Sequence, residues 1–223
     1  MELKILTLED VKTDPAVIAM IEQADRSMNA LGYTEHGFRH ADLVAHISYN
    51  VIKRLEFPER DFELAAIAGY LHDIGNAISR EFHGITGSLL AKSVLEKMGF
   101  PLNEIISIMS AIGNHEEEYG YPTSEIAAAT ILADKSDVHR SRVRNPDMAA
   151  FDIHDRVNYA AKKSFLKVEA ESGSITLEID IDTKISTVME YFEIFLSRMI
   201  ICRKAAEFLD CKFNLIINNT MLT

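Results

Sequence analysis

Apolar residues recur at helical spacing through the first two thirds of the chain and at alternating spacing in the last third. In the first part they follow i, i+3, i+4, i+7, the period of a helix with one buried face. Asp14-Pro15 supplies an N-cap and a first-turn proline, which predicts a helix running toward Leu31 and Gly32. A second helix is expected from about His40 to Leu55. Asp61 is expected to cap a third that ends near Gly75. A fourth runs from about Gly84 to Met98 and stops at Gly99. A fifth follows Pro101 and carries on to about His115. Ser124 caps a sixth that reaches about Val138.

The pattern then changes. "RSRVRNPDMAAFD" reads as a charged, irregular link. "FLKVEAESGSITLEIDID" alternates on both sides of Ser172-Gly173, the signature of a hairpin. Asp182 is expected to cap a long amphipathic helix, about Thr183 to Leu209, and "KFNLIIN" alternates again through Phe213, Leu215 and Ile217. The expectation is a mainly α chain: a helical bundle over 1–160, then a small α+β unit over 161–223 built of a hairpin, a long helix and a final strand. Three strands would form its sheet. "VNYAAKK" suits either side of that boundary.

Composition narrows the class. The chain has 223 residues, 48% of them hydrophobic, enough for one good core. The net charge of -11 argues against broad binding to extended nucleic acid or to an anionic membrane. No apolar run approaches the roughly 20 residues of a membrane helix, and "MELKILTLED" has no signal-peptide core. Cys202 and Cys211 match no ligand spacing and fit a reducing compartment, so a cytoplasmic location is expected.

The informative positions are those where an ionisable group interrupts an apolar stripe. His40 precedes Val44, Ile47, Val51 and Leu55 on one helical face. His83 and Gly87 precede Leu90 and Val94. His115 continues Ile105, Ile108 and Ile112. Asp134 sits between Ala127, Ile131 and Val138. His72-Asp73 ends the stripe Leu64, Ile67, Ala68, Leu71. A single buried histidine is commonly a satisfied core residue, but a buried carboxylate must be paired or bind metal. Four histidines and two aspartates taken together suit a borderline divalent ion: Fe, Mn, Co, Ni or Zn. Asp73 is placed to bridge two ions about 3.5–4 Å apart. A metal at a helix end can use both neighbours of the His72-Asp73 pair, where a packed core would use one.

These residues in this order resemble the HD-domain superfamily of metal-dependent phosphohydrolases. The matching stretches are His40 in "HADLVA", His72-Asp73 in "LHDIG", His83 in "HGITGSLLA", His115 in "NHEE" and Asp134 in "LADKSD", together spanning roughly residues 30 to 145. The resemblance implies an HD-domain helical bundle with the metal site at its centre. It implies that His40, His72, Asp73 and Asp134 hold one ion, and that His83 and His115 hold a second with Asp73 bridging. "NHEEEYGYP" is also similar to the HD-GYP subfamily, which cleaves cyclic di-GMP. Asn114 replaces an expected histidine there, Asn76 an expected lysine, and the spacing to Gly120-Tyr121-Pro122 is about two residues short. Gly120-Tyr121-Pro122 is therefore read as a loop.

The function expected is a metal-dependent phosphohydrolase, a phosphoric ester hydrolase acting on a nucleotide or another small phosphorylated molecule. Lys135, Arg140, Arg142 and Arg144 form the densest basic stretch and are the candidate phosphate contacts, with Arg80 a weaker one. An equally good account of the stretch is a solvated linker. Asp73 and Glu116 are the candidate catalytic residues, Glu116 as a proton shuttle beside His115, although "EEE" also fits a solvated run. Asp137, one turn after Asp134, can orient a ligand or pair with an arginine. His36 is read as a pocket or surface group; His46, His139 and His154 are read as surface groups. Met189, Phe192, Phe195 and Met199 are read as core or as the contact of a homodimer. Two other readings use the same residues: a di-iron oxygenase of HD-domain type, and a non-catalytic nucleotide-binding or regulatory module.

Overall fold

Asp14 opens the first long helix: its carboxylate accepts the backbone N–H of Ala16 at 2.8 Å and of Val17 at 3.2 Å. The structure is a computed structural model that describes residues 5–145, 147–148 and 151–222. Pro146, Ala149 and Ala150 of the expected charged link, with residues 1–4 and 223, lie outside the described residues.

The helices are α1 (Leu8–Lys12), α2 (Pro15–Ala30), α3 (Phe38–Arg54), α4 (Glu59–Leu71), α5 (His83–Met98), α6 (Leu102–Gly113), α7 (Glu125–Ser136) and α8 (Ile153–Ala160). Two 3₁₀ turns, Ile74–Ala77 and Arg140–Arg142, follow α4 and α7. Every residue of α7 from Ile126 to Ser136 is buried. A helix apolar on all sides belongs at the centre of its bundle. Small residues at 127, 128, 129 and 133 let α3, α4 and α6 pack against it on several sides. Asp134 lies on this central helix, which brings it to the middle of the molecule.

The last part alternates as expected. Strand β1 (Ala161–Glu169) pairs antiparallel with β2 (Ser174–Ile181), with Val168 opposite Ile175. Helix α9 (Val188–Phe208) then returns the chain so that β3 (Lys212–Ile217) lies parallel to β2, with Ile175 opposite Phe213 and Ile179 opposite Ile217. A short β4 (Thr220–Met221) adds a fourth strand beyond the expected three, in the order β1-β2-β3-β4. Tyr191, Phe195 and Cys202 of α9 are buried in the same apolar core as the strands and the helical bundle, and α9 packs on α7.

Several boundaries differ from the sequence reading. Asp61 is not a cap: α4 starts at Glu59 behind Pro58, so Asp61 falls in the first turn, where a carboxylate favours the helix dipole. The helix ends at Leu71, with His72 at the C-cap and the 3₁₀ turn beyond it. Helix α6 ends at Gly113, short of His115, and α7 at Ser136, short of Val138. Asp182 heads a turn, accepting Lys184 N–H at 3.1 Å. The cap of α9 is Thr187, whose side chain accepts Glu190 N–H while the Glu190 carboxylate accepts Thr187 N–H. Helix α8, capped by Asp152, and the short α1 went unforeseen. Among the described residues no helix is long and apolar enough to cross a membrane.

Candidate metal centre

Helix ends and one central helix aim the ionisable side chains at a common point. His40 comes from the first turn of α3, His72 and Asp73 from the end of α4, and His83 from the start of α5. His115 follows α6, and Asp134 lies in α7. All six are at most 8% exposed.

Each imidazole is held by its Nδ1. His72 donates to the Gly69 carbonyl at 2.8 Å and His115 to the Ile112 carbonyl at 2.7 Å. His40 donates to Asp137 Oδ2 at 2.7 Å. His83 Nδ1 lies 3.0 Å from both the Arg80 carbonyl and Glu116 Oε2. With Nδ1 as donor in all four, every Nε2 turns a lone pair inward. This is the outer-shell pattern of metal-ligating histidines.

The inward atoms fall into two sets that share Asp73. Around Asp73 Oδ2, His72 Nε2 lies at 3.2 Å and His40 Nε2 at 3.6 Å, and Asp134 Oδ1 is 3.4 Å from His40 and 3.7 Å from His72. Around Asp73 Oδ1, His83 Nε2 lies at 3.3 Å and His115 Nε2 at 4.0 Å. Ligands about 2.0–2.1 Å from one ion, at right or tetrahedral angles, stand about 2.8–3.4 Å apart. The two Nε2–Nε2 separations are 3.2 Å for His40–His72 and 3.0 Å for His83–His115. Two lone pairs at that distance repel unless a proton or a cation lies between them. The donor set therefore fits a divalent ion, and its nitrogen and oxygen ligands without thiolate suit the borderline transition metals.

The electrostatics agree. Burial opposes ionisation of Asp73, yet His72 and the hydrogen bond from His83 hold it well below the usual carboxylate range. Asp134 is likewise kept ionised against burial, by Lys135 and His40. Burial would lower His83, but Asp73 and Glu116 push it up to about 9. Burial and the facing His83 push His115 down to about 3.

Backbone packing fixes the gap between the sets. A Cβ on Gly75 would run into the His83 carbonyl oxygen and lie 2.6 Å from the Gly87 nitrogen. The turn after His72-Asp73 and the start of α5 touch main chain to main chain. Phe82, just before His83, sits in the left-handed region at φ 55°.

Around the centre lies a network that sequence spacing did not resolve. Asp137 Oδ2 accepts from His40 and, at 2.7 Å, from Arg39 Nη2. Lys135, buried, places Nζ 2.6 Å from Asp134 Oδ2 and 2.5 Å from Glu117 Oε2. Glu116 accepts Gly84 N–H at 2.8 Å besides facing His83, so neither glutamate belongs to a solvated run.

A cavity of about 810 Å³ opens onto His83 and Glu116. Its wall includes Arg80, Arg142, His36 and, from the C-terminal elements, Asn158 and Arg198. Arg142 is buried and committed, donating to the Asp137 carbonyl at 2.9 Å and the Glu35 carbonyl at 3.0 Å. Its Nη2 also meets His36 Nε2 at 3.1 Å. Arg140 and Arg144 are not in this wall: Arg140 stacks on Tyr159, and Arg144 is paired with Asp25. Arg80 is, with its guanidinium over Tyr33 and Nη1 3.4 Å from Asn76 Oδ1. His46 is exposed, and His139 Nδ1 accepts the Ser141 N–H. His154 is exposed at the cavity wall. Of the late-helix residues Phe195 is buried and Met189 is exposed. Arg198 was missed because no spacing links α9 to the motif; only its packing on α7 brings it there.

Comparison with known proteins places the same segment. The family model described as HD domain matches residues 37–141. An uncharacterised protein of Methanocaldococcus jannaschii is 27% identical over 169 residues, covering 66% of this chain and 63% of that protein. Ribonuclease Y of Lawsonia intracellularis is 36% identical over 108 residues, 47% of this chain and 18% of that protein. This chain therefore spans less than two thirds of the length of either curated relative. A solved structure, that of a predicted HD superfamily hydrolase from an uncultured Thermotogales bacterium, aligns with a TM-score of 0.44 at 22% identity, over 55% of this chain and 67% of that one.

Proposed function

Because residues 37–141 of this chain belong to the HD domain family, we propose that the protein is a metal-dependent phosphohydrolase cleaving a phosphate ester of a nucleotide or another small molecule. The observation that carries this reading is the set of four imidazoles, each donating through Nδ1 and presenting Nε2 to one of the two oxygens of Asp73. On this reading His40, His72, Asp73 and Asp134 would hold one divalent ion, and Asp73, His83 and His115 would hold the other. When bound, two such ions lower the pKa of a shared water and neutralise charge on a phosphoryl oxygen.

The chain's own residues do the rest. Asp137 fixes the tautomer and direction of His40. Glu116 is kept ionised against burial by His83, so it accepts a proton at the cavity wall rather than donating one. Lys135 neutralises Asp134 and Glu117 and is not free to meet substrate. Phe82 and Tyr119, with ring centroids 5.0 Å apart, put an exposed aromatic pair on the cavity wall beside His83 and Glu116. By its name one relative is a ribonuclease, which agrees with phosphoester chemistry; the acidic balance of this chain favours a small substrate over a long polyanion.

Two measurements on untagged protein, purified without chelator or added metal, test the reading. Metal content should approach two transition ions per chain, and phosphate should be released from nucleotide esters with Mn or Co. Iron content with oxygen uptake and no phosphate release would favour the oxygenase. No metal, even after it is offered back, would leave a binding module.

A further inference from the structure

Resting on the phosphohydrolase reading, we propose that Arg198 of α9, outside the HD segment, is a phosphate-binding residue of the same site, so that the C-terminal elements complete the active site. Most other cations near the centre are spoken for. Arg142 is anchored inward on two carbonyls, Lys135 is locked between two carboxylates, and Arg39 is paired with Glu35 and Asp137. Arg144 pairs with Asp25; Arg140 lies against Tyr159 and, although its Nε and Nη2 have no hydrogen-bond partner among the described residues, it does not line the cavity.

Arg198 differs. Its Nε donates to Glu117 Oε1 at 3.3 Å, and its guanidinium lies 4.4 Å from the Phe195 ring centroid. Those contacts fix the plane of the group and leave its terminal Nη1 and Nη2 without a partner among the described residues. The side chain is 20% exposed and lines the cavity. A preorganised guanidinium with two free parallel donors matches two oxygens of a phosphate.

Its position is tied to the centre. Glu117 holds Arg198 on one side and Lys135 on the other, and Lys135 holds Asp134. Arg80, beside His83, approaches from the second ligand set. Arg198 is thus linked to the Asp134 side of the centre, and Arg80 adjoins its His83 side. Six carboxylates and three guanidiniums line the cavity. Without metal that wall repels an anion, so Arg198 acts on phosphate in the loaded protein.

The test is calorimetric titration of inorganic phosphate into Mn-loaded full-length protein, comparing wild type with Arg198→Met and Arg198→Gln. The methionine keeps an apolar stem on Phe195, and the glutamine keeps a donor for Glu117. Metal per chain should be unchanged in both, and phosphate affinity should fall about tenfold or more, the loss expected for a charged bidentate contact. Arg198→Lys should fall between. Wild-type phosphate affinity in either folded, metal-loaded variant would overturn the assignment. The parent reading fails separately: phosphate binding that depends on Arg198, with no ester hydrolysed, leaves Arg198 in place and removes the hydrolase.

Discussion

Two regions of this protein bury side chains equally well and for opposite ends. Around α7 and the ends of α3 to α6 it buries four histidines, three aspartates, a lysine and an arginine. Between the sheet and α9 it buries Tyr191, Phe195, Leu177, Ile179 and Leu215, with Thr176 and Ser186 the buried polar side chains of that stretch. Apolar burial stabilises by about 25 cal/mol per Å². Ionic burial costs several kcal/mol per group unless partners and hydrogen bonds offset it. The centre is therefore a strained arrangement held by its surroundings, and α9 belongs to both regions: Phe195 anchors it in the apolar core while Arg198 reaches the ionic one.

Substitutions can break or sharpen that contrast. Asp73→Ala removes the carboxylate shared by both ligand sets. Bound metal should be lost, and turnover should fall by more than the roughly 10²–10³-fold of one lost electrostatic contact; mass spectrometry of metal per chain and a phosphate-release assay measure both. Normal activity would remove the bridging role. Asp137→Asn keeps the size but weakens the hold on His40, Arg39 and Arg142, so metal affinity should drop about 10–100-fold with the fold intact, as read by titration against a chromogenic chelator. Leu177→Ala, in the apolar region, should cost about 2–5 kcal/mol in denaturant unfolding with metal per folded chain unchanged. A loss of metal there would mean the two regions are not separable. Thr187→Ala removes the cap of α9 and should cost about 0.5–2 kcal/mol, visible as a lowered Tm.

The clustering of these histidines and aspartates was legible in the sequence because each interrupts or extends an apolar stripe at a helical period, and a charge on such a stripe needs a partner. Ser124 and Asp14 were legible as caps for a similar local reason: both accept the N–H groups their positions imply. The misreadings came where two local signals compete. Asp182 and Thr187 are both capping residues, and the Thr187-to-Glu190 box won. Asp61 lost the cap position to the start behind Pro58. Which basic side chains face the cavity was least legible. "HRSRVR" is the densest basic run, yet Arg142 and Arg144 turn into internal pairs and Arg140 onto a ring. Density of charge along the chain says nothing about which guanidinium is left free once the chain folds.

Gly75 carries a last consequence. The separation of the two ligand sets is gauged by main chain against main chain, at a position with no room for a methyl group. Any side chain at Gly75 would force the turn after Asp73 and the start of α5 apart. The outer wall is drawn from α8, α9 and the loop bearing Tyr119, where a Cβ on Gly120 would in turn run into the Asn114 and Glu116 carbonyl oxygens. Changes to the side chains of α8 and α9 would alter what the cavity admits and leave the spacing of the two sets alone.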